Sequence, residues 1–283
     1  MPKINLFLYG AIFYCTLTLK CAFYEWESAE KIAHNTVVQL FSDTIQFDWF
    51  FPWRMKGSDQ VAGTGFFVKI PGQIEDEGYI LTNYHVIDES CSLVAYIPAL
   101  GRQQLEVTLI GACPDADIAL LQLTKDSLNL VKAELKEFPF LVLGDSDKLK
   151  RALPVMALGY PLGQRYIKST VGVIAGREYI NNQSFIHMTA PINPGNSGGP
   201  LLNRQGEVMG ITTAGIPEAS NIGYIIPINH VKILIGDLLN NKLVRKPHLG
   251  VICNQTTDEH ASMLLNPLPA GMYINEVEKN SFA

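Results

Sequence analysis

The chain has 283 residues, 47% hydrophobic and 17% charged, a balance that argues against disorder and leaves length for one or two domains with a real core. The net charge is −5 at pH 7 without a dense Lys/Arg stripe, which argues against nucleic acid as the main partner.

The first residues read as a targeting segment. Lys3 supplies a thin positive start, and Ile4–Leu19 is an uncharged, mostly apolar run. A secretory signal fits, with a buried N-terminal strand or helix as the alternative. The run is short for a membrane span, which needs roughly 20 apolar residues. Lys20 disfavours cleavage after Ala22, so a retained anchor and membrane association stay open, and Lys20 before Cys21 argues against a lipoprotein site. Residues 1–22 are assigned to this segment, which gives an exported protein, periplasmic or secreted.

Short strand-like runs follow at Asn35–Phe41, Thr64–Ile70, Tyr79–Thr82, Ser92–Ile97, Leu105–Gly111 and Ile118–Leu123. More come at Pro154–Leu158, Ser169–Ile174, Ser184–Met188, Val208–Thr213 and Gly223–Ile226. They are rich in β-branched and aromatic residues and bounded by turn residues. Long helices do not alternate with them, so an all-β sandwich or barrel is expected rather than a parallel α/β sheet. Between the first two runs, Phe47-Asp48-Trp49-Phe50-Phe51-Pro52-Trp53 packs five aromatics into seven positions. It reads either as a core or loop anchor or as a contact surface for substrate or another subunit.

One helix is expected, Val231–Leu239, with Asn229 as its cap and Val231, Leu234, Ile235 and Leu238 at helical spacing. Lys242, Arg245 and Lys246 then form a polar connector ending at Pro247, where a domain boundary falls. Beyond the targeting segment, Cys91, Cys113 and Cys253 allow at most one internal disulfide, and their spacing matches no zinc site.

Three stretches carry chemistry. In Asn193-Pro194-Gly195-Asn196-Ser197-Gly198-Gly199-Pro200, glycines surround one serine. A nucleophilic serine needs a tight turn that exposes its hydroxyl and aims backbone N–H groups at one point; here Gly195 and Ser197 would supply the oxyanion hole. By itself such a turn is more often only a turn. Serine needs a base, and His85, closing the run Leu81-Thr82-Asn83-Tyr84-His85-Val86, is the candidate. The base needs an acid; Asp117 stands immediately before an apolar strand, whereas Asp115 reads as an ordinary turn aspartate. The order His, Asp, Ser in an all-β chain belongs to the two-barrel serine proteases. Ser197 also satisfies Gly-x-Ser-x-Gly, but the α/β-hydrolase reading needs alternating helices and a downstream histidine in a suitable setting. No His-Glu-x-x-His motif is present, and the mechanism calls for no metal or cofactor.

With these stretches stand Gly63-Thr64-Gly65-Phe66, Asp117-Ile118-Ala119-Leu120-Leu121, Leu143-Gly144-Asp145-Ser146-Asp147, Leu158-Gly159-Tyr160-Pro161-Leu162-Gly163, Gly210-Ile211-Thr212-Thr213-Ala214 and Asn221-Ile222-Gly223-Tyr224-Ile225-Ile226-Pro227. In that order, from about Ala33 to Ala283, the chain resembles the HtrA (Deg) family of serine proteases. The resemblance implies a trypsin-like double β-barrel of two six-stranded barrels over residues 23–242, then the start of a PDZ domain over 243–283. It implies endoproteolysis of unfolded or misfolded polypeptides in envelope quality control, and a homo-trimer or larger assembly. Thr213, Ala214 and Gly215 would pair with the substrate backbone, and Ile192, Ile216 and Ile222 would line the specificity pocket. The position six before Ser197, an acid in trypsin-like digestive enzymes, is Pro191, so cleavage after small or medium aliphatic residues is expected. Leu249, Gly250 and Val251 resemble a PDZ carboxylate-binding loop and Ala270–Val277 its next strand; with the chain stopping at Ala283, a truncated module is expected. Two positions depart from the family: Thr189 stands where an acid is usual, and the bulky Tyr84 precedes His85. The rival readings are a chaperone-like holding protein and an inactive protease-like scaffold.

Overall fold

The structure is a computed structural model describing residues 26–44, 50, 53, 59–70, 72, 77–180, 183–213, 223–246, 249–255, 272–277 and 279. The targeting segment and most of the aromatic run lie outside these residues; of that run, Phe50 and Trp53 are described, and both rings are exposed.

A short helix α1 (Glu27–Ala33) leads into β1 (Val37–Thr44), β2 (Asp59–Phe67), β3 (Tyr79–Thr82), β4 (Ser90–Tyr96), β5 (Leu105–Cys113) and β6 (Ile118–Leu123). These close into an antiparallel barrel in the order β1-β2-β3-β6-β5-β4. Helix α2 (Lys125–Glu134) follows, and then β7 (Pro154–Gly159), β8 (Lys168–Ile180), β9 (Gln183–Met188), β10 (Pro200–Leu202), β11 (Val208–Thr213) and β12 (Gly223–Pro227). They close into a second barrel in the order β10-β11-β12-β9-β8-β7. Helix α3 (Ile228–Asn240) runs on from β12, and β13 (Val251–Gln255) pairs with β14 (Met272–Val277) in a separate two-stranded sheet.

Side-chain alternation makes two cores from single strands. On β6, Ala119 and Leu121 fill the first barrel, while Ile118 and Leu120 join the cluster that welds the barrels together. On β3, Ile80 points into the barrel and Leu81 into the weld. The second barrel repeats this, with Ala157 inside it and Met156 and Leu158 in the weld. Such strands are buried on both faces, so their sequences read as continuous apolar runs. Each fully buried Leu, Ile or Phe stabilises the fold by about 1.5–3 kcal/mol, which favours one tight body over two loose barrels.

The helices depart from expectation. Helix α3 begins three residues earlier than expected, and Pro227, not Asn229, occupies the cap position without a side-chain bond. Asn229 instead sends its amide to Asp145 Oδ1 at 2.8 Å. Helices α1 and α2 were not anticipated. The second is marked by Thr124, whose hydroxyl accepts from Ser127 N. Residues 242–246 lie along the first barrel: Ala112 N–H bonds to Lys242 O and Val244 N–H to Ala112 O. Cys91, Cys113 and Cys253 are all free thiols.

Candidate active site

The site forms where the two barrels meet. β3 ends at Thr82, the chain passes through the buried Asn83, and a single 3-10 turn, Tyr84–Val86, presents His85. A second such turn, Pro114–Ala116, ends on Asp117, whose backbone is left-handed at φ 54° and ψ 45°. Aspartate is one of the few residues that enters this region readily. The conformation turns its carboxylate back on His85. Nδ1 of His85 lies 3.0 Å from Oδ1 and 2.9 Å from Oδ2, and the His85 backbone N–H donates to Oδ1 at 3.0 Å. Asn83 Nδ2 holds the Asp117 carbonyl at 2.9 Å, and Thr213 Oγ1 donates to Oδ2 at 3.2 Å. Facing a carboxylate, Nδ1 is assigned as the protonated nitrogen, which leaves Nε2 with an available lone pair.

Tyr84 does not cover the His85 ring. Its ring packs against the first-barrel core, its hydroxyl donates to Asp88 Oδ1 at 2.6 Å, and the His85 side chain keeps 42% of its surface exposed.

Ser197 comes from the second barrel, on the turn before β10. Gly195 and Gly198 have φ of 95° and 86°, a region closed to most residues. Side chains there would also collide with backbone: a Cβ on Gly195 would sit 2.4 Å from Tyr160 O, and one on Gly198 2.0 Å from Thr64 O. The Pro194 carbonyl accepts from Leu162 N at 2.7 Å. Across a trans peptide the N–H points the opposite way, so Gly195 N–H is turned away from the Leu162 turn.

Two threonines lock this turn. Thr64, fully buried on β2, donates its hydroxyl to Gly195 O at 2.7 Å and accepts Tyr160 N at 3.0 Å. Its backbone N–H donates to Ser197 O at 2.9 Å. Thr212 on β11 donates its hydroxyl to Asn196 O at 2.6 Å and exchanges backbone bonds with Gly198 and Gly199. Thr212 therefore grips the serine turn while its neighbour Thr213 touches the Asp117 carboxylate. Thr64 and Thr212 carry no role predicted from sequence, and Thr213 is predicted there only to pair with substrate. Thr64 lies in Gly63-Thr64-Gly65-Phe66, and its place between two glycines is the available signal.

Ile192 is half-buried against the second-barrel core and Pro191 is exposed. Ala214, Gly215, Ile216 and Ile222 lie outside the described residues. Thr189, at the family's acidic position, exchanges bonds with Val173 through its backbone and hydroxyl. Leu249 is exposed, Gly250 is left-handed at φ 71°, and Val251 opens β13. Among the described residues no group of three His, Cys, Asp or Glu side chains could hold a metal.

Residues 63–211 match the trypsin-like peptidase domain model. The chain belongs to that family. It is 32% identical over 236 residues to a probable periplasmic serine endoprotease DegP-like of Chlamydia muridarum, covering 81% of this chain and 44% of the relative. It is 32% identical over 225 residues to the serine protease Do-like HtrB of Bacillus subtilis, covering 73% and 47%. The chain thus spans less than half the length of these DegP- and HtrA-type relatives. In fold it resembles the HtrA-type protease AlgW with tripeptide, with a TM-score of 0.68 and 24% identity over 90% of this chain and 77% of the other. With decapeptide bound, the same protease gives a TM-score of 0.64.

Proposed function

We propose that this chain is a serine endopeptidase in which Ser197 attacks the peptide carbonyl, His85 Nε2 takes its proton and Asp117 orients and stabilises the ring. The Gly195 and Ser197 amides receive the oxyanion, and water then releases the acyl-enzyme. The observation that carries this reading is the paired contact of the Asp117 carboxylate with His85 Nδ1 at 2.9 and 3.0 Å, with the serine turn tied to the same barrel by the Thr64 N–H bond to Ser197 O at 2.9 Å. Supporting it is the left-handed Gly195, whose amide is turned away from the Leu162 turn.

The substrates are unfolded or misfolded polypeptides, paired through Thr213, Ala214 and Gly215 and read by a pocket of Ile192, Ile216 and Ile222 for small or medium aliphatic residues. Relatives with periplasmic names support export of this protein to the envelope, in a quality-control role. A protease domain over 23–242, a PDZ-like module over 243–283 using Leu249, Gly250 and Val251, and a trimer or larger assembly complete the proposal.

The test is casein hydrolysis by the chain lacking residues 1–22, beside Ser197→Ala. Cleavage by the parent and a loss on the order of 10⁶ in the variant is expected. Equal cleavage by both would reject Ser197 as nucleophile, and peptide mapping showing cuts mainly after Lys or Arg would reject the pocket assignment.

A further inference from the structure

Asp115, two residues before the acid, is more than a turn aspartate. Its Oδ2 accepts the Lys246 backbone N–H at 3.1 Å, and its Oδ1 lies 3.3 Å from Arg245 Nη1. The same C-terminal stretch is stitched to β5 by the Ala112–Lys242 and Val244–Ala112 backbone bonds. Residues 242–246 therefore run beside the segment that delivers Asp117, from the end of β5 through the Pro114–Ala116 turn.

The other side of that turn faces the core between the barrels. A cavity of about 230 Å³ opens beneath it, bordered by Ala116, Ile118, Phe185, Ile226, His230 and Lys246. Ala116 and Ile118 flank Asp117 and are both buried in the core between the barrels, so packing anchors the turn on this side. The backbone of Asp117 is left-handed and needs support from its surroundings. That support comes from Asn83 and Thr213 on the acid itself, and from the Asp115 clasp on the turn behind it.

From this juxtaposition we infer that Asp115 is a positioning residue: by clasping Arg245 and the Lys246 amide it holds the turn that aims Asp117 at His85. The exposed guanidinium contributes little as an ion pair. The Lys246 N–H bond to the carboxylate is the directional part, because a charged acceptor strengthens and shortens such bonds. The inference rests on the protease reading for its kinetic consequence but not for its geometric one.

The test compares Asp115→Ala, Asp115→Asn and Arg245→Ala in the full chain. The readouts are kcat, KM, the acid limb of the kcat/KM profile, melting temperature and the downfield proton resonance of His85 Nδ1. Asp115→Ala is expected to lower kcat by about 10- to 100-fold with little change in KM, as misplacement of a catalytic group by about an ångström does. It should also shift the Nδ1 resonance and move the acid limb to lower pH, because a displaced carboxylate stabilises the imidazolium less. Asp115→Asn keeps an acceptor for Lys246 N–H and should recover most of each effect; Arg245→Ala should be milder than Asp115→Ala. A lower melting temperature with resonance and acid limb unmoved would overturn the inference. Should Asp115→Ala not fold, Lys246→Pro removes the amide donor and leaves Asp115 in place: a shifted resonance would support the inference and a parental one would overturn it. If the parent fails to hydrolyse peptides, the protease reading falls while the resonance still decides the clasp.

Discussion

Thr64 and Gly195 come from different barrels and are joined by a 2.7 Å bond from the threonine hydroxyl to the glycine carbonyl. The same hydroxyl accepts Tyr160 N–H, so one oxygen serves two buried backbone groups. Thr64→Val keeps the shape and removes both partners. It is expected to destabilise the fold by about 2–5 kcal/mol, since each orphaned buried group costs about 1–3 kcal/mol. Thr64→Ser keeps the hydroxyl and should recover most of that loss. Chemical denaturation of the two variants checks this.

Gly198 is the least replaceable position of the serine turn. Its φ of 86° and a 2.0 Å approach of any Cβ to Thr64 O leave alanine two faults at once. Gly198→Ala is expected to cost about 2–6 kcal/mol, from about 1–3 for the strained backbone and about 1–3 for overpacking. Soluble, fully active Gly198→Ala protein would refute the turn geometry.

The Asp117→Asn substitution tests the acid's role. An amide nitrogen facing the ring would favour the wrong tautomer and leave Nε2 protonated. A drop in kcat on the order of 10⁴ at neutral pH is expected, with the fold retained. Stopped assays beside a melting curve distinguish the two effects.

Acid stability should depend on Asp145. The Asn229 amide and then the Asp147 N–H hold its carboxyl below the ordinary value of 3.8. A carboxyl depressed in the folded state binds fewer protons there than in the unfolded chain, so its contribution to stability is lost as pH falls. Its contribution is intact above 3.8 and drains as pH falls through the lower folded value. Melting temperatures of Asp145→Asn should therefore lie below the parent at pH 6, with the gap narrowing as pH falls below 3.8. A constant gap across that range would count against the assignment.

Thiol chemistry should separate two cysteines. Cys113 is buried, and burial pushes its thiol pKa up, so little thiolate forms. Cys91 is exposed. Iodoacetamide on the native protein is expected to label Cys91 and spare Cys113 until denaturant is added, as read by peptide mass spectrometry.

Strand positions were well marked in the sequence, because β-branched runs between turn residues are a local signal. Tyr79–Thr82, Ile118–Leu123 and Val208–Thr213 match the observed bounds. β10 was not marked, since it is three residues long and follows the glycines of the serine turn. Helix α2 was missed because its apolar spacing is sparse and its signature is the Thr124–Ser127 cap bond. Asn229 was misread because a capping residue type preceded the apolar repeat; the fold instead spends its amide on Asp145.

By itself, the sequence determined the candidates: His85, Asp117 and Ser197, in a definite order, on a chain with strands enough for two barrels. Those are properties of residue type and local spacing. The tertiary structure alone decided how the groups meet. His85 and Asp117 are held together by a left-handed turn, and Ser197 is fastened by Thr64 and Thr212, which lie 133 positions before it and 15 after it in the chain. Hydrogen bonds across such separations have no local signature, because barrel closure, not neighbouring residues, brings donor and acceptor within 3 Å.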